Sequence, residues 1–315
     1  MRDHGIHHVT AITGDARRNL AFYAGTLGLR LVKRTVNFDD PLTWHLYYGD
    51  EQGRPGTILT FFPWAGVRAG RHGSGQAELV SFAIPEGSIG WWTTHLLTHG
   101  VRFTGPARRF GQPVLAFDDP DGLHLELVGT AEAAALPGFG SGVVPAEHAI
   151  RGVHGVTLWV EDPAPTARVL TGVLGFREAR TEGDTTRLES GAPVGGIVDL
   201  RRAPGFWQGG MGVGAVHHVA FRAADAAEQE AMAAALRADG RSVTPPQERM
   251  YFQSVYFREP GRVLFEIATD GPGFAVDEPV ATLGDALKLP PWLEPHRDEI
   301  AAQLPPLAAP MEVQA

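Results

Sequence analysis

The sequence contains no cysteine, which excludes disulfides, thiolate metal ligands and cysteine nucleophiles and leaves any metal to histidine and carboxylate. It also lacks any run approaching the ~20 apolar residues that span a bilayer, and its opening MRDHGIHHVT has no apolar core of signal-peptide length. A cytoplasmic protein away from membranes is expected. Positive charge is in deficit: 27 Lys and Arg against 36 Asp and Glu give a formal charge of −9. Nucleic acid and anionic lipid need a basic face, so neither is an expected partner. Several signatures are missing too: no P-loop, no G-x-S-x-G elbow, no dinucleotide fingerprint after a strand and no H-E-x-x-H.

What is present is an ordinary globular composition, 43% hydrophobic and 20% charged, in a chain of 315 residues, enough for two domains. The dominant feature is internal repetition. A shift of 147 carries GIHHVT (residues 5–10) onto GVHGVT (152–157), Asp15 onto Asp162, and TLGLR (26–30) onto VLGFR (173–177). A shift of 140 carries Gly100 onto Gly240, Pro120 onto Pro260, Glu126 onto Glu266, and QAELVSF (76–82) onto VHHVAFR (216–222).

Each half thus holds two related units, and each unit reads as an alternating strand, an Asp-led helix closed by Gly, and three β-rich segments. The expected fold class is α+β, four βαβββ modules forming two curved mixed-sheet half-barrel domains. In unit one the reading gives strands over 7–12, 30–36, 43–48 and 57–63 and a helix over 15–25. In unit four it gives a helix over 225–239 and last strands over 251–258 and 262–268. The first domain is expected over 1–135, an Ala/Gly/Pro-rich linker crossing the surface over 136–150, the second domain over 151–272, and a Pro-rich tail over 273–315 with a short helix near 295–303. The tail is expected to pack on the surface or cover a site mouth.

In the register of the second His of GIHHVT the four units hold His8, Glu78, Gly155 and His218, and on the last strands units two and four hold Glu126 and Glu266. One such residue from each of two facing strands plus a carboxylate from a third can converge on a metal inside a curved sheet. The residues alone leave two sets open. Units one and four offer His8, His218 and Glu266, a two-His, one-carboxylate set suited to non-haem Fe(II) with open positions for O2 and substrate. Units one and two offer His8, Glu78 and Glu126. Period-two alternation places His7 and His217 on the face opposite the ligands, and His154 shares that register in a unit without a ligand. Arg249 and Tyr256, on or beside the penultimate strand of unit four, are placed to reach an anionic substrate. Trp91, Trp92 and the segment 61–64 are read as core, and the remaining histidines, His45, His72 and His124 among them, as surface or packing.

The segments GIHHVTAITGDARRNLAFY, LYYGDEQGRPGTILTFFPW, RFGQPVLAFDDPDGLHLELV, EHAIRGVHGVTLWV, VHHVAF, GRVLFEIATDGPGF and LGDALKLPPWLE resemble the hydroquinone-type ring-cleaving dioxygenases and their glyoxalase-like relatives in the vicinal oxygen chelate superfamily. The resemblance runs nearly end to end. It implies metal ligation by His8, His218 and Glu266, Fe(II) as cofactor with Mn(II) or Zn(II) as the ion found on isolation, and substrate contacts at His7, Thr10, His217, Arg249 and Tyr256. The implied reaction is oxidative cleavage of a hydroquinone-like or other dihydroxylated aromatic by O2. Tyr256 or His217 would supply a proton during O–O cleavage, and Arg249 would stabilise the substrate oxyanion. Two other readings stand beside it: a glyoxalase-like lyase or isomerase, which His8, Glu78 and Glu126 would suit better, and a noncatalytic binder of an aromatic ligand. Self-association is left open.

Overall fold

The structure is a computed structural model and describes residues 4–307. Four βαβββ modules follow one another. The first comprises β1 (Ile6–Thr13), α1 (Ala16–Tyr23), β2 (Arg30–Asn37), β3 (Asp40–Gly49) and β4 (Ile58–Pro63), and the second β5 (Gln76–Pro85), α2 (Ile89–Thr98), β6 (Phe103–Arg109), β7 (Gln112–Asp118) and β8 (His124–Thr130). The third has β9 (Gly152–Val160), α3 (Pro163–Gly172), β10 (Arg177–Glu182), β11 (Thr185–Glu189) and β12 (Ile197–Arg202). The fourth has β13 (Val216–Ala223), α4 (Ala226–Ala238), β14 (Gln247–Glu248), β15 (Gln253–Arg258) and β16 (Leu264–Thr269). A last helix, α5, spans Arg297–Gln303.

The Asp-led helices form for the expected reason. Asp15 accepts from the backbone N–H of Arg17 and Arg18, Asp162 from Ala164 and Asp225 from Glu228, each satisfying donors that a helix start leaves open. Phe22, Tyr23 and Leu20 of α1 and Met232, Ala233 and Leu236 of α4 turn inward and join the main apolar core. None of the helices among the described residues is long and apolar enough to cross a membrane.

Two curved eight-stranded sheets result, ordered β14-β15-β16-β13-β1-β4-β3-β2 and β10-β11-β12-β9-β5-β8-β7-β6. Module one therefore shares a sheet with module four, and module two with module three. The halves 1–135 and 151–272 describe the repeat, whereas each sheet draws on both halves, because the free edge of each module's first strand is completed by a first strand from the opposite half. Within the segment 136–150 Val144, Ala149 and Ile150 are buried and the other residues exposed or half-buried, and Arg151, just beyond it, binds the carbonyls of Ala133 and Ala146. The tail lies along the outer strands of module one. Lys33, wholly buried, is held by Asp277 and Glu278, and Trp44 donates to the Pro305 carbonyl. Residues 308–315 of the expected tail lie outside the described residues.

Turn carboxylates lock neighbouring modules together. Asp119, before β8, accepts from the Tyr23 hydroxyl of α1, and Glu259, its counterpart at a shift of 140, accepts from Thr166 of α3. Burial pushes the Asp119 carboxyl up to about 6, against the N–H groups of Leu123 and Asp121 and the Tyr23 hydroxyl, which pull it down. A carboxyl whose folded value exceeds its unfolded one binds more protons when folded. Its contribution is complete below about pH 4 and is lost as pH rises through about 6. Asp119→Asn is expected to flatten the pH dependence of stability across that window by about 2–3 kcal/mol. Urea unfolding at a series of pH values checks this, and an unchanged slope would assign the dependence elsewhere.

Candidate metal centre and its cavity

Register builds the site. His8 on β1 pairs with Ala220 on β13, Ala220 with Glu266 on β16, and Glu266 with Tyr256 on β15. Paired residues share a face, so His8, Glu266 and Tyr256 stand in one row, with His218 two residues along β13 and Ser254 two along β15. His8 Nε2 lies 3.3 Å from His218 Nε2 and 3.5 Å from Glu266 Oε2, and His218 Nε2 lies 2.9 Å from the same oxygen. All three residues are buried. Ser254 donates to Glu266 Oε1 and fixes the carboxylate, while Oε2 makes no aligned hydrogen bond. A buried carboxylate oxygen left facing two imidazole nitrogens is the arrangement a divalent cation would complete. Burial raises the Glu266 carboxyl, but His8 and His218 outweigh it and hold the group well below the usual carboxylate range.

The histidines beside the ligands do not point away. Ile6 pairs with Phe221 and His8 with Ala220, so His7 is the extra residue of a β-bulge. Thr10 pairs with His218 and Ala11 with Val216, which makes His217 another. The bulges break alternation and bring His7 Nδ1 to 2.9 Å from His8 Nδ1 and His217 Nδ1 to 2.8 Å from His218 Nδ1. Each ligand-type histidine thus has its outer nitrogen engaged and its Nε2 directed inward, as metal-binding imidazoles require. Burial lowers His218, pushes His7 well below the ordinary value, and takes His217 down to about 3.

A cavity of about 300 Å3 opens onto the three residues. Phe62, Trp64 and Phe252 supply aromatic walls, and Arg249, His217 and Tyr256 also line it. The ring of Tyr256 meets His218 edge-on, and the Arg249 guanidinium lies 5.6 Å from the Tyr256 ring centroid and 3.0 Å from Asp39. Burial raises the Tyr256 hydroxyl above its ordinary value. Of the expected substrate contacts, His7 stands behind His8 against Phe252, and Thr10 is buried and bonded to Thr60, so neither is on the cavity wall.

His45, read from sequence as surface or packing, is a wall residue. Its Nε2 lies 2.7 Å from Thr60 Oγ1 and its Nδ1 accepts from or donates to Tyr47 at 2.9 Å. The aromatic segment also divides: Phe61 and Trp92 are core, whereas Phe62 and Trp64 face the cavity.

The set His8, Glu78 and Glu126 is not assembled, since both glutamates belong to the other sheet. Glu78 is held by His72 and the Gly73 N–H, and Glu126 by Ser81 and Arg109. Register also moves Glu78. Ser81 pairs with Glu126 as Ala220 pairs with Glu266, which makes Leu79, not Glu78, the counterpart of His218.

The description of the Glyoxalase/Bleomycin resistance protein/Dioxygenase superfamily matches residues 5–127 and 152–267. The chain belongs to this superfamily. Among superfamily relatives it is 48% identical over 302 residues, 96% of each chain, to a Bacillus subtilis (strain 168) protein named "Putative ring-cleaving dioxygenase MhqO". It is 35% identical over 309 residues, 95% of each chain, to the chlorohydroquinone/hydroquinone 1,2-dioxygenase of Sphingobium indicum. A crystal structure of a "putative dioxygenase from Bacillus subtilis subsp. subtilis str. 168" covers 96% of this chain and 97% of its own with TM-score 0.91 at 46% identity. Maize glyoxalase I, at 17% identity and TM-score 0.63 over 85% of this chain and 92% of its own, shares the superfamily fold.

Proposed function

We propose that the protein is an Fe(II)-dependent ring-cleaving dioxygenase acting on a hydroquinone-like or other dihydroxylated aromatic. The observation that carries the reading is the convergence of His8 Nε2, His218 Nε2 and Glu266 Oε2 at one end of a small aromatic-walled cavity. Two imidazole nitrogens and one carboxylate suit Fe(II), and Mn(II) or Zn(II) would fit the same donors. When bound, the ion would supply open positions for a phenolate and O2 and a path for electrons between them.

The chain's own residues do the rest. Phe62, Trp64 and Phe252 grip one ring and keep water out. Arg249 places a positive charge on the wall, which favours a bound phenolate over a phenol. Tyr256, with its hydroxyl protonated throughout the neutral range, is the proton donor that ring cleavage requires, and His217 orients His218 through their Nδ1 contact.

The test is anaerobic reconstitution with Fe(II), followed by oxygen uptake on hydroquinone, chlorohydroquinone and catechol. Consumption of one O2 per ring opened supports the proposal. An iron-loaded protein that consumes no oxygen with any of these diols would overturn it. Tyr256→Phe is expected to retain iron while lowering uptake by about 100-fold, the usual scale for losing a positioned proton donor.

A further inference from the structure

The second sheet encloses a larger cavity, about 520 Å3, on the side that corresponds to the proposed metal site. We propose that it is a separate binding site for a small aromatic carboxylate. Register supplies the comparison. Gly155 stands where the first sheet has His8, Leu79 where it has His218, and Glu126 where it has Glu266, while Ala116 replaces Tyr256. Both imidazole donors are therefore gone, and the loss of the tyrosine ring leaves room.

A guanidinium now partners the surviving carboxylate. Arg109 binds Glu126 and Ser81, and a shift of 140 carries it onto Arg249 of the first cavity. The residues after both arginines, Phe110 (φ 50°) and Met250 (φ 65°), share a left-handed backbone, so the two arginines leave their strands in the same way.

Three features point to an anion. Thr157 is only 6% exposed and lines the cavity, yet its hydroxyl has no partner. Its counterpart Thr10 is bonded to Thr60, but the strand neighbour of Thr157 is Asp199, which Arg187 occupies with both nitrogens. Arg109 Nε is likewise buried and unpartnered. At the mouth, Arg102 and Arg201 enter no ion pair among the described residues, in a chain whose net charge is −9. The acids on the wall do not cancel this: Glu78 is engaged by His72 and Gly73, and Asp118 is largely exposed beside His124.

Phe103, Phe117 and Trp159 add apolar walls that an inorganic anion would leave unfilled. An aromatic ring against them, with its carboxylate held by guanidinium and threonine hydroxyl, uses both halves of the lining. A metal is the weaker occupant. His72, Glu78 and His124 lie within ligand reach of one another, but the two imidazoles stack at 3.9 Å and 11°, which confines their lone pairs to separate, nearly parallel planes, so that one ion cannot lie in both. Both nitrogens of His72 are already used, by Glu78 and the Gly122 carbonyl.

The test is calorimetric titration of the full chain carrying His218→Ala with benzoate, benzyl alcohol and inorganic phosphate. Saturable benzoate binding is expected, with the other two at least about tenfold weaker. Thr157→Val, which keeps the side chain's shape, and Arg201→Ala, at an exposed position, should each weaken benzoate by about tenfold, the scale of one charge-assisted hydrogen bond. Arg249→Met should leave it unchanged. No saturable binding, phosphate binding as tight as benzoate, or sensitivity to Arg249→Met alone would each overturn the proposal. None of these results depends on oxygen uptake, so failure here is distinguishable from failure of the dioxygenase reading.

Discussion

Glu266→Gln is expected to reduce bound iron far below one equivalent and oxygen uptake by about a thousandfold. The carboxamide keeps the shape of the carboxylate and still accepts from Ser254, so the row across β1, β13, β16 and β15 should survive. What it loses is the negative charge between two imidazole nitrogens. A bound metal contributes several kcal/mol to the transition state, and about 4 kcal/mol corresponds to a thousandfold in rate. His218→Ala should act as strongly, because it leaves two donors where three converge. Metal analysis of the reconstituted variants, beside oxygen-electrode rates, checks both. If either variant keeps a full equivalent of iron and a rate within tenfold of the parent, the ligand assignment fails.

The largest expected effect on stability lies in the other sheet. Arg187 on β11 and Asp199 on β12 form a two-pronged ion pair at 2.8 Å, with side chains 2% and 3% exposed. Arg187 also donates to Gln112 and lies 4.0 Å from the Phe110 ring centroid, which ties module three to module two. Two charges so deeply buried gain little over a well-packed apolar pair, yet removing one partner strands the other. Arg187→Met should therefore cost about 3–5 kcal/mol. Adding Asp199→Leu to that variant should recover most of the loss. Denaturant unfolding of the single and double variants tests this, and a double variant no more stable than the single would show that the pair is not self-contained.

The repeat made the architecture readable from sequence, because two constant shifts survive across strands, helix caps and turn residues such as Asp15 and Gly100. The exchange of modules between sheets was not readable from the repeat alone, since strand pairing depends on edges that sequence does not mark. The ligand-type residues His8, His218 and Glu266 were legible as residue types in equivalent strands. Local departures from regular geometry were not. A strict period of two sends His7 and His217 away from the ligands, and the bulges that bring them back insert one residue without leaving a glycine as a sign. A constant shift of 140 likewise aligned Glu78 with His218, whereas strand pairing makes Leu79 its counterpart. His45 could have been found: it alternates with Tyr47 on a strand next to the one carrying Thr60, so both face the side on which Thr10 lies.

The pairing of the outermost modules also sets an order of events during synthesis. His8 and His218 are 210 residues apart in the chain, which at a ribosomal rate of about 5–20 residues per second separates their emergence by roughly 10–40 s. Modules two and three are contiguous and can close their own sheet in that interval. Module one, already made, has to wait with one flank of β1 unpaired. The candidate metal site is complete only once β16 has emerged, and a nascent chain cut short anywhere before it lacks one of the three converging donors.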